Sequence, residues 1–173
     1  IRFALSHPDL FEDQIRAILR ACANVTSLKI MFPMIGRMSE WRKARDIAES
    51  VRSQLNAPRL PLGIMIEVPS AVMVAEHLAK EVDFFSIGSN DLTQYTLAID
   101  RLHPDLCSEA DSYHPALVKM VETTVKAAQA HGKWVGVCGN AASNPSLATL
   151  LVGLGVTELS VSPANVGAVK NII

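Results

Sequence analysis

Five short apolar runs recur along this chain: Leu28 to Phe32, Leu62 to Ile66, Val82 to Ile87, Trp134 to Val137 and Val156 to Val161. Each has the length of a strand, and none is long enough for a buried helix. The stretches between them read as helices. Residues 9–23 place Leu10, Ile15, Ile18 and Leu19 on one face. Ser39 is the predicted cap of a charged helix that runs to about Leu55, where Asn56 and Pro58 stop it. Ser70 opens a helix through Val72, Val74, Ala75 and Leu78. Pro115 begins one that reaches His131 and ends at Gly132, while Asn144-Pro145 supplies a cap and a first helical position. A short helix follows Pro163. Strands alternating with helices predict an α/β fold of parallel βαβ units. Their nearly continuous apolar character predicts cover on both faces. Two architectures satisfy this: a complete five-stranded doubly wound sheet, or about five strands of a (β/α)8 TIM-type barrel.

The remaining composition narrows the functional classes. A chain of 173 residues with 49% hydrophobic residues buries a core of its own. It shows no internal repeat, low-complexity stretch or linker, so residues 1–173 read as a single domain. A net charge of −1 without a basic stripe argues against nucleic acid and against a membrane surface as partners. No apolar run approaches the roughly 20 residues that span a bilayer. Arg2, His7, Asp9, Glu12 and Asp13 interrupt any signal-peptide core. Cys22, Cys107 and Cys138 are odd in number and widely spaced, which speaks against a disulfide framework and for a reducing compartment. The expectation is a soluble cytoplasmic domain.

The strand ends carry residues unlike the strand bodies: Met34, Glu67, Asn90 with Asp91, Cys138, and Ser162. In parallel α/β folds the C-terminal strand ends converge on one mouth, where active sites form. Glu67 follows Ile64-Met65-Ile66, and a carboxylate there is costly to bury unless paired or bound to a cation. Taken singly, Glu67 reads as half of a core ion pair and Asp91 as a helix cap. Taken together, two carboxylates at successive strand ends are the hard oxygen ligands that Mg2+ accepts. Gly88 permits close backbone approach to a ligand, and Asn90 offers a donor and an acceptor. Arg101 is suited either to clamp a phosphate or carboxylate, or to pair with Asp100 or Asp105. Cys138, beside Gly139, is either inert packing or a thiol proton donor facing the mouth. No dinucleotide or P-loop glycine pattern is present, and no histidine stands at zinc spacing from a cysteine.

These residues lie within longer motifs. The run Glu81-Val-Asp-Phe-Phe-Ser-Ile-Gly-Ser-Asn-Asp-Leu-Thr-Gln-Tyr-Thr-Leu-Ala-Ile-Asp-Arg101 closely resembles Enzyme I of the bacterial sugar phosphotransferase system. So do Ile30-Met-Phe-Pro-Met34, Gly63-Ile-Met-Ile-Glu-Val-Pro-Ser70 and Gly132-Lys-Trp-Val-Gly-Val-Cys-Gly139. The resemblance covers essentially the whole chain. It implies the C-terminal portion of a (β/α)8 barrel that binds phosphoenolpyruvate with Mg2+. It further implies an N-terminal domain whose histidine takes the phosphoryl group, a histidine-containing phosphocarrier protein that receives it next, release of pyruvate, and a homodimer. By motif position Glu67 and Asp91 resemble the Mg2+ ligands, Asn90, Asp91 and Arg101 the substrate contacts, and Cys138 the acid that protonates the enolate carbon.

Two departures stand out. The family usually places Glu after Cys-Gly, whereas this chain has Asn140-Ala141-Ala142-Ser143, a variation that leans toward the fructose-type multiphosphoryl transfer proteins. Arg2 matches none of the family's upstream phosphate-binding arginines. Three rival readings remain at this level. They are a Mg2+-dependent lyase or aldolase acting on pyruvate enolate, a catalytically lapsed regulatory or dimerisation module, and a receiver-type fold, which expects an acidic cluster after its first strand.

Overall fold

The computed structural model describes residues 1–21, 25 and 27–173. Cys22 and Ala23, at the end of the first predicted helix, lie outside the described residues. Strands β1 (Ile30–Phe32), β2 (Leu62–Ile66), β3 (Phe84–Gly88), β4 (Trp134–Cys138) and β5 (Glu158–Ser160) form one sheet. All neighbours are parallel, and they pair in chain order, β1-β2-β3-β4-β5. A doubly wound sheet reverses its order at a switch point, which puts helices on both faces. Here there is no reversal. Right-handed crossovers that step the same way each time lay the helices on one side, as in a barrel wall.

The helices are α1 (Arg2–Ser6), α2 (Pro8–Ala21), α3 (Met38–Gln54), α4 (Pro69–Met73), α5 (Ala75–Ala79), α6 (Ser89–Leu97), α7 (Pro115–Ala130), α8 (Asn140–Ser143), α9 (Pro145–Gly153) and α10 (Val166–Ile172). Period-two alternation turns Ile64, Ile66, Phe85, Ile87, Val135 and Val137 toward them. There they join Trp41, Leu78, Leu92 and Leu147 in one core, each of the ten no more than 2% exposed. Burying each large apolar side chain contributes about 1.5–3 kcal/mol, so this helix-facing layer dominates the stability. Among the described residues no helix is long and apolar enough to cross a membrane.

The other face departs from the prediction of cover on both sides. The register stacks it in layers: Met31, Gly63, Phe84 and Trp134 lowest, then Met65, Ser86, Gly136 and Glu158, then Gly88, Cys138 and Ser160. No described helix lies over these residues. The side chains of this face border an open recess of about 500 Å³. Phe84 and Trp134 stack at its base with ring centroids 4.6 Å apart. The runs read as nearly all apolar, and the exceptions, serines, glycines and Glu158, fall at alternate positions on this face.

Two helix details also differ. Ser39 is not the cap of α3; Arg37 occupies that position without a side-chain cap bond, and Glu40 accepts the Gly36 N–H at 2.9 Å instead. The helix opened near Ser70 breaks at Val74, whose ψ of 16° separates α4 from α5. Asn144 caps α9 as predicted, accepting from the amides of Ser146 and Leu147. Gly132, at φ 65°, closes α7.

Candidate active site

β2 ends at Ile66, and Glu67 follows at once, only 4% exposed. Its Oε1 accepts the N–H of Met34 at 2.6 Å. Met34, just past β1, has a φ of 55°, a left-handed conformation uncommon outside glycine. Strain of this kind persists where the surroundings impose it, and here the turn aims an amide at the carboxylate. The core ion pair is absent: among the described residues no arginine or lysine bridges Glu67. Burial pushes its carboxyl up from the usual range, the Met34 amide works against that, and the negative charge of Asp91 adds to it. Such a group is stabilised by a cation placed beside it.

β3 runs into α6 without a loop, so Ser89, Asn90 and Asp91 form the first helical turn. Asp91 is therefore the third helical residue rather than the cap. Its Oδ1 lies 3.5 Å from a guanidinium nitrogen of Arg101, with both side chains partly exposed. A pair this open contributes little to stability, about 0–1 kcal/mol, but it sets Arg101 facing the strand ends. Asp100 is otherwise engaged, its Oδ1 accepting the Leu102 N–H at 2.9 Å. Asn90 Oδ1 accepts the Asn140 N–H at 2.9 Å. That bond fixes the amide's orientation and leaves its NH2 as the group available to a ligand.

Cys138 closes β4, half-buried, in the same layer as Gly88. Its thiol points toward the Ile87 carbonyl oxygen at 3.6 Å. Burial raises its pKa, a hydrogen bond from the Ser86 hydroxyl opposes this, and the charges of Glu67 and Asp91 raise it further. The sulfur is therefore held as a thiol at neutral pH. Gly88 separates the two groups: a Cβ there would stand 2.9 Å from Glu67 Oε2. Glu67, Asp91, Asn90, Arg101 and Cys138 thus converge on one mouth, although they span 72 positions (67 to 138, both ends counted). Among the described residues no three His, Cys, Asp or Glu side chains form a closed metal cage. Two carboxylates with an open side suit Mg2+, which keeps waters and takes substrate oxygens.

All of residues 1–173 match the family described as PEP-utilising enzyme, PEP-binding domain, where PEP is phosphoenolpyruvate. The chain belongs to this family. It is 53% identical to a multiphosphoryl transfer protein of Xanthomonas campestris pv. campestris, across 98% of this chain and 20% of that protein. It is 41% identical to a phosphoenolpyruvate-protein phosphotransferase of Latilactobacillus sakei, across 100% of this chain and 31% of that protein. The PEP-binding domain thus spans about a fifth to a third of the length of these curated relatives. In fold it is similar to a citrate lyase from Burkholderia xenovorans LB400, with a TM-score of 0.72 at 24% identity over 93% of this chain and 53% of that one.

Some predicted features of the PEP-binding domain fall outside the cluster. Ser162 is exposed beside a 3-10 turn (Pro163–Asn165), and Cys107 is exposed in the segment after α6. Asn140 joins the site through its backbone only, its amide meeting Asn90. Sequence reasoning passed over Ser86 and Ser89, since a lone serine carries no local signal. It noted Met34 as a strand end without assigning its backbone amide a role.

Proposed function

We propose that this domain is the C-terminal portion of a PEP-binding barrel in a phosphoenolpyruvate-protein phosphotransferase. In the whole protein, PEP gives its phosphoryl group to a histidine on an N-terminal domain, which passes it to a histidine-containing phosphocarrier protein. Pyruvate is released, and the relay serves sugar uptake. The parent acts as a homodimer in the cytoplasm. Family membership supports the substrate, and the names of the relatives support the relay. The observation that carries the reading is the buried carboxylate of Glu67, which no described arginine or lysine bridges, beside Asp91 and a thiol held protonated.

Glu67 and Asp91 would hold Mg2+, which supplies positive charge against the substrate's phosphate and carboxylate. Arg101 clamps one of those anions with paired donors, and the Asn90 amide donates to another oxygen. Transfer breaks the bond between phosphorus and the enol oxygen, and that electron pair stays on the oxygen as enolate. The Cys138 thiol then gives its proton to the methylene carbon, forming the methyl group of pyruvate. The thiolate left behind accepts a hydrogen bond from Ser86. The lyase or aldolase alternative gains only a likeness of fold, at 24% identity.

The direct test is Asp91→Asn in the full-length protein. Phosphotransfer should lose its dependence on Mg2+ and fall by about 10²-fold or more, with the fold retained by circular dichroism. An unchanged Mg2+ titration would exclude the assignment.

A further inference from the structure

Ser89 stands where β3 turns into α6 and is 7% exposed. Its hydroxyl donates to the carbonyl oxygen of Cys138 at 2.7 Å and accepts the Ala141 N–H at 3.4 Å. Its own carbonyl accepts the buried Thr93 hydroxyl at 2.7 Å. Between the two anchored peptides lies Gly139, at φ 87° and ψ −163°, a region that only glycine populates readily. A Cβ on Gly139 would stand 2.5 Å from Ser89 Oγ and 2.9 Å from Asn90 Oδ1. The end of β4 is thereby pressed flat against the first turn of α6, with the serine hydroxyl wedged between them.

A buried hydroxyl needs partners wherever it sits, so satisfaction alone would not single Ser89 out. The choice of partners does. The carbonyl it holds belongs to Cys138, and its own neighbours in sequence are Asn90 and Asp91. Holding that carbonyl holds the end of the Cys138 backbone, and so the Cα and Cβ from which the thiol hangs, relative to those two side chains. We infer that Ser89 is a positioning residue that sets the Cys138 thiol in register with the ligand-holding turn of α6. This rests on the reading of Cys138 as proton donor. Ser89 touches no reacting atom; it acts through the backbone of Cys138. Misplacing a reacting group by about 1 Å costs on the order of 10²-fold in rate.

The test uses the full-length phosphotransferase with PEP carrying one deuterium at C3 in the single, defined Z position, in tritiated water, so that the face of proton addition is read from the chirality of the methyl group. Ser89→Ala should slow pyruvate formation by about 10²-fold while the KM for PEP stays within about threefold, and the proton should arrive on both faces. Ser89→Thr, which keeps a hydroxyl, should restore rate and facial selectivity. Wild-type selectivity in Ser89→Ala, or no restoration by Ser89→Thr, overturns the inference. If Cys138→Ala is slow in those same assays, the reading of Cys138 stands even so. Wild-type rate and selectivity in Cys138→Ala would remove that reading and the inference together. Should Ser89→Ala not fold, Ser89→Cys fills the same space with a weaker donor and is judged by the same criteria.

Discussion

Gly88 leaves no spare room at the mouth of the sheet. A Cβ there would lie 2.9 Å from both Glu67 Oε2 and Met65 Sδ, so any side chain displaces the carboxylate. Gly88→Ala is expected to raise the Mg2+ concentration needed for half-maximal PEP binding by roughly tenfold, measured by calorimetry on the parent protein. Glu67 is an acidic group buried at that mouth, and burial raises its pKa. Its folded-state pKa lies above the unfolded one, so its contribution is fully present below the unfolded value and is lost as pH rises through the folded value. Burial disfavours its ionised form, so that form is a burden on the fold. Glu67→Gln keeps the acceptor for Met34 and removes the charge. It should melt above wild type at pH 7, with the gap closing toward pH 4 and Mg2+ dependence lost. A constant gap across that range would show that Glu67 is not destabilised by its charge. Asn90 yields a sharper contrast. Asn90→Asp still accepts from Asn140 but has no donor left and brings a third negative charge, so PEP affinity should fall by about 10- to 100-fold at unchanged melting temperature.

At the scale of elements, the Asn144 cap was legible because its side chain acts on its own helix. His114, whose Nδ1 accepts the Ala116 N–H at 3.2 Å, was missed because histidine is not a usual cap. Asn144 meets two amides of α9 and also accepts the Tyr113 hydroxyl at 2.9 Å. Asn144→Ala should cost about 1 kcal/mol, read as a lowered melting transition of the domain in the parent protein. Ser39 looks similar in sequence but has no cap bond, because Glu40 reaches back to Gly36 first. Ser39→Ala should therefore stay within about 0.5 kcal/mol of wild type. The direct join of β3 to α6 was not legible either. It turned Asp91 from a cap into a side chain free to face the mouth. A sequence pattern locates an apolar run to within a residue or two, and one residue decides which way a carboxylate points.

For the molecule as a whole, β1 and β5 each pair on one side only among the described residues, and the layered face between them borders an open recess. Open edges and exposed apolar residues such as Met31 favour association. Expressed alone, the 173-residue chain is expected to sediment as dimers or larger species and to transfer no phosphate from PEP to a phosphocarrier protein. A monodisperse monomer that binds PEP tightly would contradict the barrel-segment reading. The parallel α/β class and the five strands were readable from the chain, and so was the choice of five candidate residues at the strand ends. Strand length, helix period and the charge of a residue at a strand end are local properties, and the long motifs added a family. Strand order was not readable from periodicity, because every crossover length permits a step in either direction; the resemblance to a barrel family implied it, and the sheet has that order. The Met34 amide on Glu67, the Asn90 bond to Asn140 and the Ser89 brace on Cys138 were not readable. Each joins a side chain to a backbone group 33 to 50 residues away, and their meeting depends on which strands the folded sheet lays side by side.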